Sequence, residues 1–188
     1  VSDRSASGFA PFIHRIDSHD MIVFVNDAWR SFADDNAGPR VDDALAGSCL
    51  WDFVSGMETE TLWRMIVARA RSGHAVSFPY RCDSPAQRRE FRMDVRPLEH
   101  GAVEFASTAT RVVDRDPVAL LAAEYGRGLP VRCCSWCRRF DAGGYVEVEE
   151  AIVRLGLLEQ DSWSITHTIC EPCNEVLLEA LELAPPVA

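Results

Sequence analysis

Val76-Ser77-Phe78-Pro79-Tyr80-Arg81-Cys82 alternates apolar and polar side chains, and Glu90-Phe91-Arg92-Met93-Asp94-Val95-Arg96 does so again. A period of two belongs to a strand with one buried face. Residues 83–87 between them read as a loop and Glu99-His100-Gly101 as a turn. Val103 and Phe105 then head a third strand that fades through residues 107–113. Three alternating strands with short turns predict an antiparallel meander, wet on one face and buried on the other. Pro79 has no N–H to give to a ladder, so it belongs at an edge or a bulge.

Such a face needs a cover, and the upstream sequence supplies one. Residues 1–10 read as a frayed lead-in. Phe12 to Asp17 and Met21-Ile22-Val23-Phe24-Val25 read as two strands around the turn Ser18-His19-Asp20. Asn26 stands where a helix N-cap belongs, with Asp27 in the first turn. Trp29, Phe32 and Ala33 follow at helical spacing, and residues 34–39 break the helix. Residues 40–54 read as a short helix and a loop. Ser55 and Glu58 match a capping box. The helix after it puts Leu62, Met65, Ile66, Val67 and Ala70 on one face and stops at Ser72-Gly73. The expected fold is α+β, a five-stranded antiparallel sheet with helices on one side.

This order resembles the PAS domain over about residues 12–113. The likeness rests on Ile22-Val23-Phe24-Val25-Asn26-Asp27-Ala28-Trp29, similar to the PAS strand that ends in Asn before the first helix. It rests also on Gly47-Ser48-Cys49-Leu50-Trp51-Asp52-Phe53, similar to a G-x-s-x-w-d-f turn. The resemblance implies a sensory or dimerising module whose pocket holds a haem, a flavin, a small acid or nothing. Phe24, Phe78, Tyr80, Phe91, Met93, Val95 and Phe105 would line that pocket, and core packing explains them equally well. A haem would need an axial histidine facing inward. His14 and His74 are the candidates, and exposure is the ordinary expectation for each. Cys49 lacks the surrounding pattern of flavin-binding photoreceptors and is read with Cys82 as a core cysteine. Arg81, Arg92 and Arg96 fall on the opposite face, as a solvated surface with Glu90 and Asp94 or as a partner surface.

Two cysteine pairs dominate the rest of the chain. Cys134-Ser135-Trp136-Cys137 and Cys170-Glu171-Pro172-Cys173 are separated by 32 residues. Two CxxC knuckles at such a distance can bring four thiolates around one tetrahedral zinc. The rivals are four cysteines buried as small hydrophobes and a thioredoxin-like redox pair. Cys134, Cys137, Cys170 and Cys173 are the expected ligands. Cys133 could reach the same metal with Cys137, but Cys134 repeats the spacing of the second pair. His167 is expected beside the site or simply packed, since four sulfurs close it. Four ligands leave no open position for catalysis.

Around the knuckles, residues 145–148 read as a strand, 149–158 as a helix, 163–167 as a strand and 171–183 as a last helix. The second knuckle therefore sits at a helix start, where the dipole favours thiolates, as in treble-clef-like zinc modules. Cys134-Ser135-Trp136-Cys137-Arg138-Arg139, with Thr166-His167-Thr168-Ile169-Cys170-Glu171-Pro172-Cys173, is similar to a tail found after PAS or receiver domains in bacterial signalling proteins. The likeness spans roughly residues 132–180. Thr168 stands where that tail has Gly, and the Pro falls one place later. The resemblance implies signal transduction rather than a reaction.

The expected organisation is a PAS-like sensor domain over 1–113, a linker helix within 114–130 and a four-cysteine zinc module over 131–188. All 19 basic residues of the 188-residue chain are arginine, against 29 acids. Residues 131–188 carry 4 Arg and 10 acids, which opposes a grip on phosphate backbone. No apolar run reaches the length of a membrane span, and no leader pattern opens the chain, so a cytoplasmic protein is expected. No nucleophile elbow, phosphate loop or HExxH occurs. The expected function is therefore non-catalytic. A ligand or protein partner, or a second copy of the chain, engages the first module, and the change passes to a structural zinc module. A thiol-based redox or metal sensor and a zinc-ribbon nucleic-acid binder are the alternatives.

Overall fold

The computed structural model describes residues 3–5, 10–35, 45–118, 128–159 and 163–187. Strands β1 (Asp3–Ser5), β2 (Phe12–Ile16), β3 (Ile22–Val25), β4 (Val76–Arg81), β5 (Gln87–Pro97) and β6 (Val103–Asp114) form one antiparallel sheet. Five of them run β3-β2-β6-β5-β4, and β1 adds to β6 by pairing Asp3–Ser5 with Arg111–Val113. The lead-in thus contributes a short strand rather than a fray, and the Asp3–Arg111 ion pair accompanies it. β6 does not fade. It runs to Asp114 because β5 pairs with it along its full length, across a bulge between Glu90 and Phe91. Pro79 lies on β4, the outermost strand, where its missing N–H breaks no ladder.

Helices α1 (Asp27–Asp35) and α2 (Met57–Arg71) lie between β3 and β4 in the chain and cover one sheet face. Asn26 explains the entry into α1. Its Oδ1 accepts the Trp29 N–H and the Ile13 N–H, both at 3.0 Å, and its Nδ2 donates to the Pro11 carbonyl at 2.9 Å. One side chain caps the helix and clamps it to β2. The capping box at Ser55 does not form. Gly56 is the residue before α2, with φ 92° and no side-chain cap, while the Glu58 carboxylate accepts the Thr168 hydroxyl from the far end of the chain. The end of the first helix beyond residue 35, residues 40–44 and the linker helix beyond residue 118 lie outside the described residues.

On the other sheet face Arg15 lies over Phe24 at 4.6 Å and pairs with Glu104 at 2.8 Å, Arg96 joins the same carboxylate, and Arg92 pairs with Asp94. Arg81 is not one of this set. It chelates Asp83 and reaches Glu147 at 2.9 and 3.0 Å.

Beyond residue 128, strands β7 (Leu129–Cys134), β8 (Phe140–Asp141), β9 (Tyr145–Val146) and β10 (Trp163–Thr168) form a second sheet in the order β10-β7-β8-β9. Helix α3 (Val148–Leu155) precedes β10 and α4 (Glu171–Glu182) follows it. β7 and β10 are parallel, with Trp163 opposite Leu129 and Thr168 opposite Cys134. Two parallel strands that end side by side deliver both knuckles to the same place.

The second sheet carries a small core of its own around Val131, Cys133, Phe140, Val148, Ala151 and Leu157. Its knuckles belong elsewhere. Cys134, Trp136, Cys170, Leu177 and Leu181 pack into the same core as Phe78, Val95 and Phe105 of the large sheet. The backbone joins them too. The Arg81 N–H donates to the Trp136 carbonyl at 2.7 Å, Ala75 N–H to Pro185, and Val187 N–H to Gly73. The outer edge of β4 is thereby covered, which removes an exposed strand edge. No helix among the described residues is long and apolar enough to cross a membrane.

Candidate functional site

Cys134 ends β7, Cys137 closes the turn after it, Cys170 caps α4 and Cys173 sits in the first turn of that helix. Their four sulfurs lie within 4.8 Å of one another. A tetrahedral zinc with Zn–S bonds of about 2.3 Å would space its sulfurs at about 3.8 Å. The Cys137 and Cys170 sulfurs are 3.7 Å apart. The Cys170 N–H donates to Cys134 Sγ at 3.4 Å, so the helix start supplies a donor to a thiolate. Hydrogen bonds from Cys137 and Cys173 hold the Cys134 thiol far below its usual range, while Cys137 is pushed up to about 12. Four thiol donors at this spacing could hold a metal ion such as zinc, and all four would bind it as thiolates.

The neighbours stand apart. The Cys133 side chain turns into the small core, fully buried, and burial raises its thiol to about 11. Strand alternation separates it from Cys134, one residue on. His167 lies on β10 half-buried and is not one of the clustered groups. Burial and then Arg138 lower its pKa. Cys137 and Cys173 are only half-buried, and they line a groove of about 440 Å³ with Tyr80, Phe91, Trp136 and Leu177. The groove runs between the knuckles and β4–β5.

A second cavity, of about 420 Å³, lies between the large sheet and helices α1 and α2. Met93 and Phe105 line it. The other aromatic candidates do not. Phe24 is on the opposite face and 39% exposed. Phe78 is buried beneath Trp63 and Trp136. Tyr80 stacks on Phe91 at 5.3 Å and bonds the Ser107 hydroxyl, away from this cavity. Val95 is fully buried and is not among the lining residues. The cavity wall instead recruits His14, Ile22, Val25, Trp29, Leu50 and Trp63. His14 is therefore not an exposed strand histidine. Its ring lies flat on Phe105, 4.5 Å between centroids and 2° between planes, and burial lowers its pKa to about 4. Its position in β2, in phase with the buried Ile16, was the signal for an inward side chain. His74, by contrast, bonds Ser72 at the end of α2.

One residue touches both sites. Trp63 on α2 lines the cavity and stacks on Trp136 at 5.9 Å and 28°. Trp136 sits between Cys134 and Cys137 in the first knuckle. The hydroxyls of Thr59 on α2 and Ser135 in that knuckle bond at 2.9 Å. No known protein family matches the chain, and no characterised protein matches it at a significant level.

Proposed function

We propose that this chain is a non-catalytic sensor of signal transduction, a PAS-like ligand-binding layer fused to a structural zinc module. The observation that carries this is Trp63, which is at once a wall of the cavity and the stacking partner of the knuckle tryptophan. A ligand in the cavity presses on α2, and α2 holds the first knuckle through Trp63 and Thr59. The zinc serves as a rigid pin for the knuckles, its four positions filled by sulfur. Output passes to a protein partner or a second copy of the chain, in the cytoplasm. By linkage, whatever factor the ligand changes zinc affinity by, zinc changes ligand affinity by in return. The order of two strands, helices and three strands supports the PAS reading.

A native mass spectrum of the purified protein, followed by a denatured one, tests it. One zinc per chain together with a small organic mass, both released on denaturation, is the expected result. Absence of metal with all seven thiols intact would sink the zinc module and the coupling built on it. A second reading, a redox or metal sensor, draws support from the half-buried Cys137 and Cys173 beside an open groove. Peroxide that releases zinc faster than it perturbs the fold would favour it; thiols that resist peroxide would leave the structural role.

A further inference from the structure

We infer that the cavity between α1, α2 and the large sheet takes an uncharged, flat, largely apolar molecule carrying one hydroxyl or N–H group, which His14 reads by a hydrogen bond. The inference rests on the binding reading above and names the ligand class for the cavity. A volume of about 420 Å³ falls within the roughly 300–1,000 Å³ typical of small-molecule sites. Its walls are Trp29, Trp63, Phe105, Ile22, Leu50 and Met93, which offer flat and aliphatic surfaces.

The described walls offer a charged guest no partner. Among the described residues no arginine and no acid lines this cavity, and His14 is the only titratable lining residue. A carboxylate or phosphate placed here would lose its water and gain no counter-charge. His14 itself stays neutral near pH 7, because burial lowers its pKa to about 4. A neutral imidazole has one donor and one acceptor nitrogen at its edge. The face of the ring is occupied by Phe105, and no described residue takes a hydrogen bond to either nitrogen. Among apolar walls that edge is the feature that distinguishes one guest from another. A hydroxyl or ring N–H satisfies it; a hydrocarbon leaves it unpaired.

The probes are 2-naphthol, naphthalene, 2-naphthoate and 2-naphthylmethylammonium, added to the full zinc-loaded chain at pH 7.5. Quenching of Trp29 and Trp63 fluorescence and the shift in Tm report binding. The expected result is that 2-naphthol binds roughly three- to tenfold tighter than naphthalene, the yield of one hydrogen bond, and tighter still than either charged probe. His14→Leu should erase the difference between naphthol and naphthalene while leaving naphthalene binding in place. His14→Gln, which keeps a donor and an acceptor, should retain part of it and serves if the leucine variant does not fold. A charged probe that binds as tightly as 2-naphthol would overturn the ligand class and leave the binding reading standing. Equal binding of naphthol and naphthalene, or an unchanged ratio in His14→Leu, would overturn the role of His14. Failure of all four probes to bind would overturn this inference and the binding reading together.

Discussion

Burying an imidazole between β3 and β6 makes the stability of this fold depend on pH. The ordinary value for His14 is 6.5 and burial depresses it to about 4. Between those values the unfolded chain binds the proton and the folded chain does not, so stability rises with pH across the window. The contribution is fully present above pH 6.5 and is lost as the pH falls through about 4. A depression of this size corresponds to about 3 kcal/mol. His167 is also lowered by burial and titrates in the same direction. The measurement is therefore a difference, wild type against His14→Leu, by urea denaturation at several pH values. The wild type should lose about 3 kcal/mol more than the variant between pH 7.5 and 4. Parallel curves would show that the imidazole is as well solvated folded as unfolded. Single residues were unevenly legible. Asn26 announced itself as a cap, and it does cap, because that geometry needs only neighbours. Phe24 and Phe105 look alike in sequence and end on opposite sides of the sheet, because only strand register tells them apart.

Elements were legible where their signal is local. The alternation of Phe91, Met93 and Val95 marks β5 without reference to anything else, and all three are buried. β7 gives no such sign. Val131-Arg132-Cys133-Cys134 is short, and its partner is β10, about thirty residues on, so the pairing is a tertiary fact. The same distance effect overrode the capping box before α2. Glu58 turns to Thr168 instead of to its own helix start, because β10 arrives there. Gly56 records that arrival. Its φ is +92°, and a Cβ built on it would stand 3.0 Å from the His167 carbonyl oxygen. Gly47, at φ +98°, has open space around it. Gly47→Ala should cost only the backbone strain, about 1 kcal/mol, whereas Gly56→Ala adds a backbone clash and should cost about 2–3 kcal/mol. For a chain of this size the gap between them is roughly 2–8 °C in Tm. Equal losses in the two variants would mean that β10 does not bear on the start of α2.

At the scale of the molecule the four-cysteine cluster is a joint between two sheets. Cys134, Trp136 and Cys170 lie in the core that also holds Phe78, Val95 and Phe105, while the second sheet has a separate small core. Arg81 adds an ion pair across the same boundary, its Nη1 donating to both carboxylate oxygens of Glu147. Metal removal should therefore be felt well beyond the knuckles. If the four sulfurs hold a zinc ion, its loss would leave four thiols to repack, and Trp136 would lose the turn that presents it to Trp63 and Phe78. Cys134→Ser, or chelation of the wild type, should lower stability by at least about 3 kcal/mol, roughly 6–12 °C in Tm. The two signals to compare are thiol exposure, which reports the knuckles, and amide hydrogen exchange in β5 and β6, which reports the large sheet. A shared core requires both to move together, with exchange in Phe91–Val95 and Val103–Ser107 quickening as the thiols become reactive. Knuckles that open while those strands keep their full protection would show that the two cores are energetically separate. Trp63 would then be a contact and not a coupling, and the proposed path from cavity to zinc would have no physical carrier.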